Sequence, residues 1–137
     1  MSLHDTDFVA WTQQQAARLR SMPRTDDLDI DHLTDEIEGL GRTSVADLST
    51  AIRQLLTGLI SRSIDPASIR VEDILAAQSE AIIRADAGVW RHVDDNKVWR
   101  LAKRSVEARV PERCPIRVEQ LISEEFDVAK ALASLRL

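Results

Sequence analysis

From Ile30 to Ile60 the chain carries apolar side chains at every third or fourth position: Ile30, Leu33, Ile37 and Leu40, then Leu48, Ile52, Leu55, Leu56, Leu59 and Ile60. That spacing puts them on one face of an α-helix. The pattern predicts a long helix over about residues 29–62, roughly 45 Å of apolar stripe at about 1.5 Å per residue, which other parts of the chain or a second copy must cover. The stripe lapses around Gly39, Gly41 and Ser44. A helix-interior glycine costs about 1 kcal/mol, so the pair marks either a break or a close approach of another backbone, and the pattern on both sides favours a continuous helix with a thin waist. An earlier helix is expected to start near Asp5 or Thr6, to present Phe8, Trp11, Gln15, Leu19 and Met22 on one face, and to end at Pro23.

Beyond the long helix, Ser61 to Ser68 reads as a turn with Pro66 suited to a first helical position. Ile69, Ile74, Leu75, Ala81 and Ile82 predict a third helix ending near Asp86–Gly88, and Val89 to Val106 a fourth, with a break at Asp94–Asn96. Pro111 and Pro115 bracket a rigid loop, Val118, Leu121 and Ile122 a short helix, and residues 128–137 form an Ala- and Leu-rich tail that reads either as packing helically or, like residues 1–4, as peripheral. The expectation is an all-α, single-domain helical bundle of four to five helices over residues 1–137, built around the long helix. Four Gly, four Pro and no Tyr in 137 residues argue against a turn-rich β-sandwich.

Charge and chemistry narrow the function classes. A net charge of −5 offers no overall attraction to nucleic acid or an anionic membrane. A lone Cys114 excludes an intramolecular disulfide, and neither a membrane-length apolar run nor a signal-peptide pattern is present, so a cytoplasmic protein is expected. Asp27, Asp29, Asp31 and Glu38 match positions 1, 3, 5 and 12 of an EF-hand loop, but His32 stands where that loop needs Gly, and first-turn acids have a simpler use at the positive end of a helix dipole. His32 with Glu36, and His92 with Asp94 and Asp95, form the other metal-like groupings, without the Glu-x-x-His order of di-iron bundles. Glu36 and Glu38 point about 200° apart on a helix and so read as a solvated face. No nucleophile, base and orienter combination stands out, and the sequence points to no cofactor.

One region departs from the overall acidity. Between Arg91 and Arg117 eight Lys or Arg face four acids, Asp94, Asp95, Glu107 and Glu112, a local charge of +4. Lys97, Arg100 and Arg104 share a helical face, with Lys103 beside them and Trp99 as a candidate stacking ring, which is the form of a phosphate-tracking stripe. The plainer reading is a solvated face, or one that pairs with the acidic Asp26–Glu38 segment of this copy or of another.

Three segments resemble a known family: Thr6-Asp7-Phe8-Val9-Ala10-Trp11-Thr12, then Leu33 to Arg42 with Thr34-Asp35-Glu36-Ile37-Glu38-Gly39-Leu40-Gly41, then Pro111-Glu112-Arg113-Cys114-Pro115-Ile116 to Leu121 with Phe126 beyond. Together they are similar to the domain-of-unknown-function family numbered twenty-nine, a largely bacterial group. The resemblance spans Asp5 to Phe126 and departs at Ser61–Pro66, where relatives tend to be rich in aromatic and basic residues. It implies a helical fold, no established activity, and structural roles for Phe8, Trp11, Glu36, Ile37, Gly41, Cys114 and Pro115. The reading that follows is a small non-catalytic protein-interaction or regulatory module whose partner is another protein or a second copy. The alternative is a weak nucleic-acid-binding helper using the stripe around residues 91–117.

Overall fold

The computed structural model describes residues 2–106 and 109–136; Met1, Leu137 and Glu107, the last counted above among the acids of the basic region, lie outside them. Among the described residues the regular elements are all helical: α1 (Leu3–Thr6), α2 (Phe8–Ser21), α3 (Ile30–Ile64), α4 (Val71–Arg84), a 3₁₀ turn (Val89–His92), α5 (Asp95–Arg104), α6 (Val118–Leu121) and α7 (Val128–Ser134).

Aspartates start most of the longer helices. Asp7, Asp29, Asp94 and Asp127 stand immediately before α2, α3, α5 and α7, and each carboxylate accepts a hydrogen bond from a backbone N–H of the first turn. Such caps satisfy donors that the helix itself leaves unpaired. The cap of the first long helix is therefore Asp7, not Asp5 or Thr6, which belong to the one-turn α1. Pro66 sits in the turn before α4, which begins only at Val71, and the expected fourth helix is split into the 3₁₀ turn and α5 at Val93 and Asp94.

The 35-residue α3 runs unbroken for about 52 Å at about 1.5 Å per residue. Its second half is the axis of the core: Leu48, Ile52, Leu55, Leu56, Leu59 and Ile60 are buried against Ile74 and Ala81 of α4, Val98, Trp99 and Ala102 of α5, Leu121 of α6 and Ala131 of α7. The tail is thus helical rather than peripheral, and contributes Ala131 and Leu135 to this cluster. Gly58 lets the turn before α4 approach, since a Cβ there would lie 3.2 Å from Ile69 Cδ1, and it would touch Ile74 of α4 at 3.7 Å.

In its first half α3 packs on α2, and the facing residues differ from those the spacing suggested. Ile30, Thr34 and Gly41 are buried, whereas Leu33 and Leu40 are 38% and 55% exposed. On α2 the buried line is Val9, Thr12 and Ala16, leaving Phe8 and Trp11 half-buried, stacked on each other at 5.8 Å, with the His4 ring edge-on to both. The reason is Gly41. Thr12 presses so closely on it that a Cβ would collide with the Thr12 hydroxyl, so α2 docks along the small-residue line Thr12, Ala16, Gly41 and Thr34. A Cβ on Gly39, by contrast, would meet only the Arg42 side chain at 3.8 Å, an ordinary contact, and nothing in the packing explains the glycine.

α2 and the first half of α3 thus form a two-helix arm, joined to the body core through Val9, with Phe8 and Val45 packed against it. The arm is tied to the body at the N-terminus of α2. The Phe8 N–H donates to Ala87 O at 2.9 Å, and the His92 ring lies 2.8 Å from the Asp7 carboxylate. Ala87 and Gly88 take positive φ values of 54° and 74°, and a Cβ on Gly88 would strike Thr6 O, so this tie requires glycine there.

Candidate functional site

The angle between arm and body encloses a cleft of about 810 Å³. Its walls are Val9, Thr12 and Gln13 of α2; Glu38, Gly41, Arg42, Val45, Ala46 and Ser49 of α3; His92 of the 3₁₀ turn and Asp94 at the cap of α5; and Lys97, Val98 and Leu101 of α5. The volume falls within the usual range for ligand sites, and its lining mixes apolar walls with a few polar groups.

Most of those polar groups are already engaged. A carboxylate can only accept, so in the Asp7–His92 contact the ring Nε2 carries the hydrogen. Asp7 also caps α2. Burial works against its charge, but the Ala10 N–H and the His92 ring outweigh that and hold the carboxyl below its usual range. Asp94 Oδ1 accepts from the Lys97 backbone N–H, and the Thr12 hydroxyl donates to Val9 O at 2.7 Å. Glu38 is gripped by Arg20 at 2.6 Å and approached by Arg42 at 3.7 Å, and the Arg20 hydrogen bond lowers its pKa. Glu38 is thus part of an inter-helix network rather than a solvated side chain, while Glu36 is exposed. Among the described residues, the side chains of Gln13, Ser49 and Lys97 have no hydrogen-bond or ion-pair partner within the chain. The cleft therefore offers a cation and two neutral hydrogen-bonding groups over apolar walls, and no nucleophile held by a base.

Of the basic stripe, Lys97 lines the cleft and Arg100 and Arg104 are exposed beside it. Among the described residues none of the three has a carboxylate within salt-bridge distance, and Lys103 reaches the Glu112 carbonyl at 3.5 Å. Trp99 is not a stacking ring. It is fully buried, and its indole N–H donates to Pro111 O at 2.8 Å, so this aromatic anchors α5 to the proline loop. The apolar moment of α5 turns Trp99 inward with Val98 and Ala102, and sequence proximity to the cations does not put it on their face.

The family-motif residues divide between regions. Ile37 is half-buried in the arm, Gly41 lines the cleft, and Cys114 and Pro115 lie away from it in the loop before α6. The Cys114 thiol donates to Ile116 O at 2.8 Å, and burial pushes its pKa up, which makes it a poor nucleophile. Asp27, Asp29, Asp31 and Glu38 do not gather into a loop: Asp29 caps α3 and holds His32 at 2.6 Å, Asp31 pairs with Arg24 at 2.9 Å, and Glu38 faces α2. Among the described residues no three His, Cys, Asp or Glu side chains converge as a metal site would require. No described helix is long and apolar enough to cross a membrane.

Sequence reasoning missed Thr12, Gln13 and Ser49 as cleft residues, did not pair Asp7 with His92, and placed His92 only among metal candidates. Asp7 and His92 are 85 positions apart. The one local signal was an Asp directly before the Phe8 helix.

No curated protein matches the chain. Among solved structures it is similar to an alpha-helical protein of unknown function from Rhodospirillum rubrum, with a TM-score of 0.78 and 22% identity over 98% of both chains. That likeness speaks to the fold alone. The sequence pattern of the domain of unknown function DUF29 matches residues 3–127, nearly the whole chain, and the protein belongs to that family.

Proposed function

We propose that this protein is a non-catalytic docking module whose cleft receives a segment of a protein partner. One observation carries the reading: the cleft has apolar walls in Val9, Val45, Val98 and Leu101, while most of its polar side chains, Thr12, Glu38, Arg42, His92 and Asp94, are committed to caps and to bonds within and between helices. Groups spent on holding the fold are not available to move protons, whereas an apolar trough with a few uncommitted hydrogen-bonding side chains suits a helix laid into a groove. The test is a photo-crosslinker carried at the exposed Gln13, in wild type and with Ala46→Trp. Ala46 is an exposed helical position on the cleft wall, so the indole fills the groove without disturbing the core. A protein adduct at position 13 that disappears with Ala46→Trp is expected; no adduct, or one indifferent to the blocking residue, would count against the proposal.

A second reading keeps the nucleic-acid alternative, because Lys97, Arg100 and Arg104 share one face of α5 and have no acidic partner among the described residues. Without Trp99 it rests on charge alone, which gives weak, strongly salt-dependent binding. Undetectable binding of labelled RNA and DNA at low salt would remove it.

A further inference from the structure

The two flanks of the arm segment of α3 carry opposite characters. At about 100° per residue, Glu38, Arg42, Val45, Ala46 and Ser49 fall on the flank that walls the cleft, and Asp29, Leu33, Glu36 and Leu40 fall on the flank roughly opposite. The second line continues into the body as Asp47 and Ala51, and there it is covered: Arg84 of α4 lies 3.5 Å from Asp47, and Ala51 is buried. Toward the arm α4 has ended, and Leu33 and Leu40 stand exposed with Glu36 between them. The bare flank is an acidic–apolar stripe.

The mouth of the cleft presents its complement. On α5 Lys97, Arg100, Leu101 and Arg104 fall within about 100° of arc, so an exposed leucine is framed by cations that lack acidic partners among the described residues. The apolar walls Val45 and Val98 lie beside it. One chain cannot join the two surfaces, because the stripe is on the far side of α3 from the cleft. They can meet only between copies.

We infer that the arm of one copy docks in the cleft of a second, with Leu33 and Leu40 against Leu101 and Val45 and with Glu36 facing Lys97 and Arg104. This rests on the docking reading of the cleft and names its occupant. Leucines on the knob and leucine and valine in the trough remove apolar surface from water, while the opposite charges set register and orientation. Occupation by a second copy also closes the cleft to other partners, so chain concentration would set how much of the docking site is open.

The experiment is analytical ultracentrifugation of the purified full chain at low and high salt, with Glu36→Lys, with Lys97→Glu/Arg104→Glu, and with the two variants mixed in equal amounts. All three positions are exposed, and circular dichroism checks that each variant keeps its helices. Wild type is expected to associate beyond the 15.4 kDa chain in proportion to its concentration, less so at high salt. Each variant alone should lose affinity by about tenfold or more, since like charges then face one another. The mixture should recover it, because each chain then meets an oppositely charged surface in the other. A wild type that stays monomeric at every concentration and low salt, or an association that survives both variants, overturns the inference. If the crosslinker at Gln13 meanwhile captures a different protein and Ala46→Trp abolishes that adduct, the docking reading stands and the second copy is ruled out as occupant; no adduct at all removes both.

Discussion

Along the first half of α3 the side chains turned toward its neighbour are Ile30, Thr34 and Gly41, met by Val9, Thr12 and Ala16 of α2; along the second half they are Leu48, Ile52, Leu55, Leu56, Leu59 and Ile60, met by α4, α5 and their neighbours. One continuous helix thus belongs to two packing regimes. In the body large aliphatic side chains interlock around Trp99, and stability scales with the apolar area removed from water. In the arm two helices approach through small residues, bury little, and depend on caps, the Arg20–Glu38 pair and the tie to Ala87 and His92. The cleft forms where the regimes meet. A body that packs from all sides and an arm that packs on one side leave an angle between them, and the uncovered flank of the arm follows from the same asymmetry.

Truncation should separate the regimes most sharply. Leu55→Ala removes a fully buried side chain from the centre of the body and is expected to cost about 2–5 kcal/mol in urea unfolding, whereas Leu40→Ala in the arm, more than half exposed, should cost less than about 0.5 kcal/mol. Comparable losses at both positions would abolish the distinction.

Overpacking the arm comes next. Gly41→Ala puts a methyl group into the Thr12 hydroxyl and should destabilise by about 1–3 kcal/mol, and adding Thr12→Ala should recover most of that. A double-mutant cycle with no coupling would show that the seam is looser than its geometry.

The tie between the regions has its own signature. Asp7→Asn keeps a capping oxygen but loses the negative charge at the start of α2 and beside His92, and should cost about 1 kcal/mol at neutral pH. Because the folded carboxyl lies below its ordinary value of 3.8, its contribution is complete above that value and is lost as pH falls through the depressed one. Wild type and variant should therefore converge in stability at low pH; a constant difference down to acid would mean that the charge of Asp7 contributes nothing.

The smallest change has the opposite sign. The Thr34 hydroxyl is buried in the arm seam, and its oxygen has no hydrogen-bond partner among the described residues. Thr34→Val keeps the shape and removes the desolvated oxygen, so thermal unfolding should show a gain of up to about 1 kcal/mol. A loss would mean that the hydroxyl is solvated in the seam.

Several of these features were legible in the residue pattern. The unbroken α3 follows from a stripe that resumes in phase after Ser44, the split before α5 from Asp94 and Asp95, and the all-α class from helical periodicity with few turn residues. The reading failed where hydrophobicity and burial part company. Leu33 and Leu40 read as core and are exposed, while Thr34 is polar and is buried, because a seam between close-packed helices selects for small size before apolarity; at Gly41 the expected alternative of a close approach holds, and the partner is Thr12. Trp99 failed for the related reason that adjacency to cations in sequence says nothing about which face of the helix it occupies.

By itself the sequence determined the all-α class, the unbroken long helix, the lone cysteine and the segregation of acidic and basic segments, since each depends on composition or on residues within a few positions of one another. The tertiary structure alone decided that Asp7 meets His92, that α2 docks through Thr12 and Gly41, and that Gln13, Ala46 and Lys97 face one cleft. Those relations join residues on different helices, and they are set by how closely two backbones can approach, a property of pairs of surfaces that no single stretch of chain carries.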